Sequence, residues 1–249
     1  MEEAIIEFKN VTKSFGEQFV LKNVSCKIAK GKTTVILGPS GTGKSVFSKL
    51  SIGLLKPDSG IILVNGQDIV KMKRKDLFET RKKFGMLFQD GALFDSLSVG
   101  ENIAFPLYQH TKKTNSEIKE IVKRKLNQVG LPNIENKLPS ELSGGMRKRV
   151  GFARAIALDP DIVIFDEPNS GLDPIMSNAI DELILKMKKE LGSTFIVISH
   201  DIIGTFNIAD YIGMLYNGDF IIFGTKEDVL NSENEIVRDF LKRNLKEIV

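Results

Sequence analysis

The sequence has little of what disulfide-stapled, membrane-spanning or secreted proteins need. Its one cysteine, Cys26, excludes an internal disulfide framework and is typical of a reducing compartment. The longest stretch without an acidic or basic residue is residues 33–43, eleven residues, whereas a spanning helix needs about 20 apolar ones. The N-terminus is acidic and has no apolar signal core, so secretion is not expected. The net charge of +3 is too small by itself to indicate nucleic-acid binding.

What the chain does have is the composition of a globular protein: 249 residues, 42% of them hydrophobic and 27% charged. Strand-like and helix-like runs alternate, and the signals between residues 90 and 158 are mostly helical. Continuous apolar runs predict buried strands at residues 33–37, 162–165 and 194–198. Apolar spacing predicts helices at residues 45–55, 115–129, 147–158 and 173–190, a hairpin at 211–223, and short helices in the last 25 residues. We therefore expect an α/β core interrupted by a helical insertion.

A phosphate-binding loop is predicted directly after the first buried strand. The residues Gly38, Pro39, Ser40, Gly41, Thr42, Gly43, Lys44 and Ser45 match the pattern G-x-x-x-x-G-K-[ST]. The glycines allow backbone N–H groups to surround phosphate oxygens, and the helix N-terminus adds partial positive charge. Lys44 is expected to reach the β- and γ-phosphates, and the Ser45 hydroxyl to bind Mg²⁺. A plain glycine-rich turn is the alternative, but it needs neither the lysine nor the hydroxyl.

Two carboxylates end the second buried strand. Asp166 is placed to hold the Mg²⁺ and its water shell. Glu167 is placed to orient a water and accept its proton. A strand-to-turn exit is the alternative for this Asp-Glu-Pro sequence. Taken together with the phosphate loop, the pair predicts nucleotide hydrolysis.

A second anion-binding segment lies at Ser143-Gly144-Gly145, before a basic helix. Unobstructed N–H groups and a hydroxyl at a helix start suit phosphate, although the same residues also serve as an ordinary N-cap. One ATP does not need two such segments in one subunit. Two subunits arranged head to tail would use both. The two segments in one chain favour a homodimer, and a pair of different ATPase chains stays open.

With these motifs in this order, nearly the whole chain resembles the ATP-binding subunit of an ABC (ATP-binding cassette) transporter. The resemblance implies an ATPase that uses ATP and Mg²⁺. It also implies a P-loop NTPase (RecA-like) α/β core with an antiparallel β subdomain and an inserted α-helical subdomain. On that basis residues 1–249 form one ABC ATPase domain, with the core at 1–89 and 159–249 and the helical signature subdomain at 90–158.

The resemblance also implies roles for individual residues. Phe15 would stack on adenine, and Val46 would join the phosphate loop in binding the nucleotide. Gln89 would contact Mg²⁺ or water, and His200 the γ-phosphate. The catalytic residues would be Glu167, His200, Lys44 and Gln89, the metal ligands Ser45, Gln89 and Asp166, and the partner-facing residues Ser143, Gly144, Gly145 and Asp173. Alternatives remain from the residues alone: Phe15 as a core aromatic, Gln89 as a strand-end polar residue and His200 as a core histidine.

One departure from the family pattern points to a subgroup. Met146 stands where most members have glutamine, which is similar to the Mla/Mkl subgroup of bacterial phospholipid-transport ATPases. That similarity implies an MlaE-like integral-membrane permease bound near residues 89–94, an Mce-type lipid-binding protein, and the cytoplasmic face of the inner membrane. The apolar residues 92–94 fit such a contact, or they pack inside the helical subdomain.

Other interpretations stay open at this point. The cargo could instead be amino acids or small hydrophobic compounds, because the ATPase motifs do not read cargo. A DNA- or ribosome-acting ABC ATPase is disfavoured by the absence of a heptad run and of a second cassette, so no nucleic-acid partner is expected. A phosphate-loop kinase or GTPase would not need residues 142–146. Residues 71–83 hold seven basic side chains, which suit a solvated helix face or anionic headgroups.

Overall fold

The computed structural model describes residues 2–244 and shows strands alternating with helices. The strands are β1 (Ala4–Phe15), β2 (Gln18–Ala29), β3 (Thr33–Leu37), β4 (Ser59–Val64), β5 (Gln67–Asp68), β6 (Phe84–Leu87), β7 (Ile162–Asp166), β8 (Thr194–Ser199), β9 (Tyr211–Tyr216) and β10 (Asp219–Thr225). The helices are α1 (Lys44–Ser51), α2 (Arg74–Arg81), α3 (Val99–His110), α4 (Asn115–Gln128), α5 (Gly144–Ala155), α6 (Pro174–Leu191), α7 (Ile202–Ile208), α8 (Lys226–Leu230) and α9 (Glu235–Asn244), with a 3-10 turn at Pro139–Glu141. This content agrees with the predicted α/β class.

The chain forms two compact units. The first holds the described residues up to Arg81 and from Thr194 onward, and the second holds residues 82–193. The predicted helical subdomain, 90–158, falls entirely within the second unit, and its boundaries remain a prediction. The helices predicted near the C-terminus appear as α8 and α9, and residues 245–249 of that prediction lie outside the described residues.

The first unit contains an antiparallel set of strands and a mostly parallel one. Strand β1 pairs antiparallel with β2 and β4, and β5 extends β4. Strand β3 pairs parallel with β8 and β9, and β10 folds back antiparallel on β9. All five residues of β3 are buried, as expected for a strand covered on both faces. An aromatic cluster joins the elements of this unit, because Phe47 on α1 stacks on Phe8 and meets the edge of Phe220.

The second unit pairs β6 parallel with β7 and packs α3, α4 and α5 against one another. Capping boxes begin two of these helices: Ser98 and Glu101 at α3, and Thr114 and Glu117 at α4. Each box satisfies backbone N–H groups that the first helical turn leaves without partners. These elements give residues 82–193 a core of their own.

Two predicted helices have different ends in the structure. The helix predicted at 45–55 stops at Ser51, because Gly53 takes a φ of +67° and the Leu54 N–H donates to the Lys49 carbonyl 2.8 Å away. This is the glycine-dependent closure that ends many helices. The helix predicted at 147–158 begins at Gly144 instead, because Ser143 caps it, and it ends at Ala155. The spacing of apolar residues does not indicate either of these boundaries.

Candidate functional site

The phosphate loop connects β3 to α1 in the first unit, and its shape depends on glycine. Gly38 has a φ of +154°, and a Cβ there would lie 2.3 Å from the carbonyl oxygen of Leu215. Gly43 has a φ of +102°, and a Cβ there would lie 2.9 Å from the carbonyl oxygen of Val20. Gly41 has a φ of +81° and open space around it. The loop therefore keeps one side unobstructed while its backbone packs closely on the other.

Lys44 is buried, and its ammonium folds back across the loop. Nζ donates to the carbonyl oxygens of Gly38 at 2.8 Å and Pro39 at 3.1 Å. The Thr42 hydroxyl donates to the same Pro39 carbonyl at 2.9 Å. An ammonium held by two carbonyls inside the loop is ready to exchange a neutral acceptor for an anionic one, which forms a stronger hydrogen bond. Ser45, the next residue, is exposed.

His200 leaves the sheet of the first unit at the same edge as the phosphate loop. Leu37 at the end of β3 is in register with Ser199 at the end of β8, so Gly38 and His200 each follow a strand end at that edge. The carboxyl edge of a parallel sheet is where α/β proteins bind their ligands. His200 is exposed, so the alternative of a core histidine is wrong.

Phe15 lies at the end of β1 and is 51% exposed, so the alternative of a core aromatic is also wrong. The Lys13 ammonium lies 5.3 Å from the centroid of the Phe15 ring. Asp58 fixes this strand end by accepting hydrogen bonds from Lys13 Nζ at 2.7 Å and from the Ser14 N–H at 2.6 Å. These contacts hold the pKa of the Asp58 carboxyl down at about 2.

In the second unit, the register of β6 and β7 brings Gln89 and the two carboxylates to one edge. Leu87 pairs with Phe165, so Gln89 and Glu167 each follow two residues later on adjacent parallel strands. Asp166 ends β7 and is half-buried. Glu167 takes a φ of +52°, a left-handed conformation that is uncommon for a residue with a side chain. The turn is thus bent sharply at the residue predicted to be the base.

The loop after Glu167 is fixed by contacts with α5, with α6 and with Gln89, which follows β6. Gln89 Nε2 donates to Ser170 Oγ at 3.1 Å. Asn169 Nδ2 donates to the buried carboxylate of Asp181 on α6 at 2.9 Å. Lys148 on α5 donates to main-chain carbonyls of this loop. Asp173 then caps α6 by accepting from the Met176 N–H at 2.9 Å.

The sequence interpretation missed Lys148, treating it as part of a basic helix. Its position carried a signal, since Gly145, Lys148 and Phe152 follow one another at helical spacing and all three are buried. The arrangement places a charged side chain on the apolar face of α5. Such a lysine needs hydrogen-bond partners, and the loop supplies them.

The signature segment begins α5. Ser143 is the N-cap, and its Oγ accepts from the Met146 N–H at 3.3 Å. Gly144 is exposed, and a Cβ added there would meet no atom closer than 4.0 Å, whereas Gly145 packs against the methyl group of Met176. The Ser143 hydroxyl accepts in this contact, so its own proton remains available for an anion. Ser143 and Gly144 therefore leave the start of α5 unobstructed, which suits the anion-binding role predicted for them.

The apolar residues after Gln89 form an exposed patch. Ala92 and Phe94 are exposed and Leu93 is half-buried, so the interpretation that residues 92–94 pack inside the helical subdomain is wrong for Ala92 and Phe94. The Phe94 ring lies 5.0 Å from the ring of Phe105, which is also exposed. Arg154 contacts the patch. Its guanidinium lies 5.7 Å from the centroid of the Phe94 ring and donates to the carbonyl oxygens of Gly91 and Ala92.

The donor set predicted for Mg²⁺ agrees with the chemistry of that ion. Mg²⁺ in nucleotide sites takes one or two protein oxygens and otherwise phosphates and water. Ser45 offers an exposed hydroxyl and Asp166 a half-buried carboxylate at a strand end. Across residues 2–244 no group of three or more His, Cys, Asp or Glu side chains could hold a metal.

None of the helices described within residues 2–244 has the length and apolar character needed to span a membrane. The basic segment predicted at residues 71–83 includes α2, none of whose residues is buried. This exposure is compatible with a solvated helix face and with a surface near anionic headgroups, so both interpretations stay predictions.

Comparisons with known proteins agree with the motif order. Residues 21–170 match the family described as ABC transporter. A probable ribonucleotide transport ATP-binding protein, mkl, from Mycobacterium leprae is 48% identical over 236 residues, covering 95% of this chain and 68% of that protein. The intermembrane phospholipid transport system ATP-binding protein MlaF from Haemophilus influenzae is 45% identical over 242 residues, covering 97% of this chain and 92% of MlaF.

Solved structures give the same result for the fold. The cassette cbiO1 of Clostridium perfringens, part of the ABC transporter complex cbiONQ, superposes with a TM-score of 0.85 at 32% identity, covering 99% of this chain and 98% of cbiO1. A dimeric post-hydrolysis state of the ATP-binding cassette MJ0796, bound to ADP and Pi, gives a TM-score of 0.80 at 31% identity over 88% of this chain and 98% of that chain. The interpretation as a phosphate-loop kinase or GTPase is therefore wrong.

Proposed function

This chain belongs to the ABC transporter family as an ATP-binding subunit and is an ATPase, and from that premise we propose that it energises phospholipid transport between bacterial membranes. The observation that carries the cargo assignment is the similarity to MlaF, which spans almost all of both chains. Met146 in the signature segment supports the same subgroup. The transport itself takes place in a membrane permease, which this chain drives by binding and hydrolysing ATP.

ATP binding rests on the phosphate loop. The glycines at 38, 41 and 43 leave room for phosphate oxygens against backbone N–H groups at the start of α1. Lys44 releases the carbonyls of Gly38 and Pro39 and donates to the β- and γ-phosphates instead. Phe15, which is 51% exposed, stacks on the adenine. Val46 completes the set of nucleotide-binding residues.

In hydrolysis, each polar residue of the site has a separate role. When bound, Mg²⁺ neutralises charge on the phosphates, and Ser45, Gln89 and Asp166 are the residues that would hold it. Glu167 orients the attacking water and accepts its proton at the carboxylate. His200 donates a hydrogen bond to the γ-phosphate, where negative charge grows. Gln89 contacts the Mg²⁺ or a water, and its side chain donates to Ser170 in the loop that follows Glu167.

A second copy of this chain completes the nucleotide site. In the proposed head-to-tail dimer, Ser143, Gly144 and Gly145 of one copy bind the γ-phosphate of the ATP held by the other. Asp173 and the residues before it lie at the dimer interface. The exposed Ser143 and Gly144 at the start of α5 support this role. ATP closes the dimer and hydrolysis reopens it.

The exposed patch formed by Phe94 and Phe105 is the proposed contact with an MlaE-like integral-membrane permease. Aromatic side chains surrounded by polar residues are typical of protein interfaces. An Mce-type lipid-binding protein would belong to the same complex, without nucleic acid. The chain would then work at the cytoplasmic face of the bacterial inner membrane as a peripheral subunit.

A second cargo, ribonucleotides, is favoured by one observation. The mkl proteins, 48% identical to this chain, are named for ribonucleotide transport. Amino acids or small hydrophobic compounds have no relative among these to support them. The phospholipid cargo is preferred because MlaF matches along 92% of its own length.

Copurification tests the cargo. The tagged chain is expressed in its native membranes, which are solubilised in mild detergent, and copurifying proteins and lipids are identified by mass spectrometry. The proposal expects a polytopic permease, an Mce-type protein and bound phospholipid. A permease without lipid, accompanied by bound nucleotides beyond ATP and ADP, would assign the ribonucleotide cargo. Recovery of DNA or ribosomes without a permease would contradict transport.

A further inference from the structure

The loop that follows Glu167 is held by a buried lysine to which the roles above give no task. Lys148 is 5% exposed, and its ammonium donates to the main-chain carbonyl oxygen of Pro168 at 2.7 Å and also to that of Ser170. An ammonium buried without partners would be strongly destabilising, so these two bonds are made wherever Lys148 is charged and buried. One side chain therefore fixes the backbone on both sides of Asn169.

The charge of Lys148 also acts on two carboxylates. Burial lowers the pKa of Lys148, while attraction to the carboxylates of Asp90 and Glu167 acts in the opposite direction. The ammonium thus lies in the field of the residue assigned as the general base. Asp90 directly follows Gln89, so the same charge faces the turn that carries the glutamine.

The other side chains that reach this loop bind its side chains, and within its backbone the Ser170 N–H donates to the Glu167 carbonyl oxygen at 3.2 Å. Gln89 binds the side chain of Ser170, and Asp181 binds the side chain of Asn169. Lys148 instead binds main-chain atoms at residues 168 and 170, which set the path of the chain after Glu167. The left-handed φ of Glu167 needs the surrounding structure to maintain it. The hydrogen bonds from the buried Lys148 ammonium to the carbonyl oxygens of Pro168 and Ser170 restrain the backbone next to Glu167.

We propose that Lys148 is a positioning residue for ATP hydrolysis, which holds the backbone of residues 168–170 so that Glu167 stays aligned. This inference rests on the proposed roles of Glu167 and of that loop. Lys148 lies on α5, one helical turn after the signature segment. Residues that bind the partner's ATP and the loop beside the general base are therefore joined through one side chain within the second unit.

The test is steady-state ATPase activity of the full chain as a function of Mg-ATP concentration. Lys148→Met keeps the length of the side chain and removes both hydrogen bonds. Losing charge-assisted bonds that align the base should lower kcat by about 10- to 100-fold. KM should change by less than about threefold, because residues 38–45 bind the nucleotide independently of Lys148. Lys148→Arg should recover part of kcat, since a guanidinium also donates to two carbonyls.

The matched control is Lys125→Met. Lys125 is also a buried lysine of the second unit, 1% exposed, and it pairs with Asp159 rather than with the loop after Glu167. If Lys148 only supports folding, both methionine variants should lower the melting temperature and kcat alike. The positioning role instead expects Lys125→Met to keep kcat within about threefold of the unchanged chain, once each protein is measured below its melting temperature.

Equal kcat in Lys148→Met and Lys125→Met would overturn the inference, and so would a KM that rises as much as kcat falls. Should Lys148→Met fail to fold, Lys148→Gln serves instead, because its neutral amide still donates to a carbonyl. Its kcat should then fall measurably below that of the unchanged chain, and an unchanged kcat would contradict the role. Glu167→Gln measured in the same assay tests the proposed role of Glu167 separately from the role of Lys148.

Discussion

Phe47→Ala should destabilise the fold strongly, because this ring ties the helix after the phosphate loop to the strands of the first unit. Phe47 is 0% exposed, stacks on Phe8 with ring centroids 4.5 Å apart, and meets the edge of Phe220 at 5.7 Å. Removing a buried phenylalanine costs about 3–5 kcal/mol. That range already includes much of the aromatic pairing, which is worth about 0.5–1.5 kcal/mol per pair. We expect a loss of about 4 kcal/mol, a large share of the about 5–15 kcal/mol that stabilises a typical domain.

Urea unfolding followed by circular dichroism measures this loss. Phe19→Ala is the matched control, because Phe19 has the same side chain, lies in the same unit and is 58% exposed. Surface substitutions usually change stability by within about 0.5 kcal/mol. A loss below about 1.5 kcal/mol in Phe47→Ala, or one equal to that of Phe19→Ala, would refute the idea that this cluster anchors α1.

Three further predictions concern the nucleotide loop, one carboxylate and the proposed permease contact. Lys44→Ala should lower kcat by about 100- to 1000-fold, as expected when a group that stabilises phosphate charge is lost, and unchanged ATPase activity would contradict its role. The pKa of Asp58 falls from 3.8 to about 2 on folding, so its stabilising effect is present above pH 4 and lost as the pH falls towards 2. The urea midpoint of Asp58→Asn should therefore lie below that of the unchanged chain at pH 7, and a gap that persists at pH 2 would contradict the assignment. Phe94→Ala should weaken permease binding by about 30-fold if this ring is an interface hot spot, measured by copurification, and full recovery of the permease would exclude it.

The sequence predicted the buried strands and the two loops that follow them, because these features are local. An apolar run such as Thr33–Leu37 is stable only as a strand that is buried on both faces. The glycines after it take positive φ angles that form the phosphate loop. Asp166 and Glu167 were placed at a strand end for the same reason. Parallel pairing then brings such strand ends to one edge, as the registers of β3 with β8 and of β6 with β7 illustrate.

Features that depend on distant contacts were harder to predict. Lys148 has the sequence character of a solvated residue, and its burial follows from carbonyls about 20 positions away. The end of α1 depends on Gly53, which takes a left-handed φ of +67° that favours glycine. The exposure of Phe15 and Phe94 depends on what the remaining chain leaves uncovered. Hydrophobic periodicity carries none of this information, because it describes one element at a time.

The most direct test of the central claim is the oligomeric state and turnover of Glu167→Gln in the presence of Mg-ATP. Glutamine keeps the size of the side chain and cannot accept the proton of the attacking water. The account predicts an ATP-bound dimer by size-exclusion chromatography with light scattering, together with little or no ATP hydrolysis. A monomer that hydrolyses ATP at the unchanged rate would contradict both the role of Glu167 and the ATP-closed dimer.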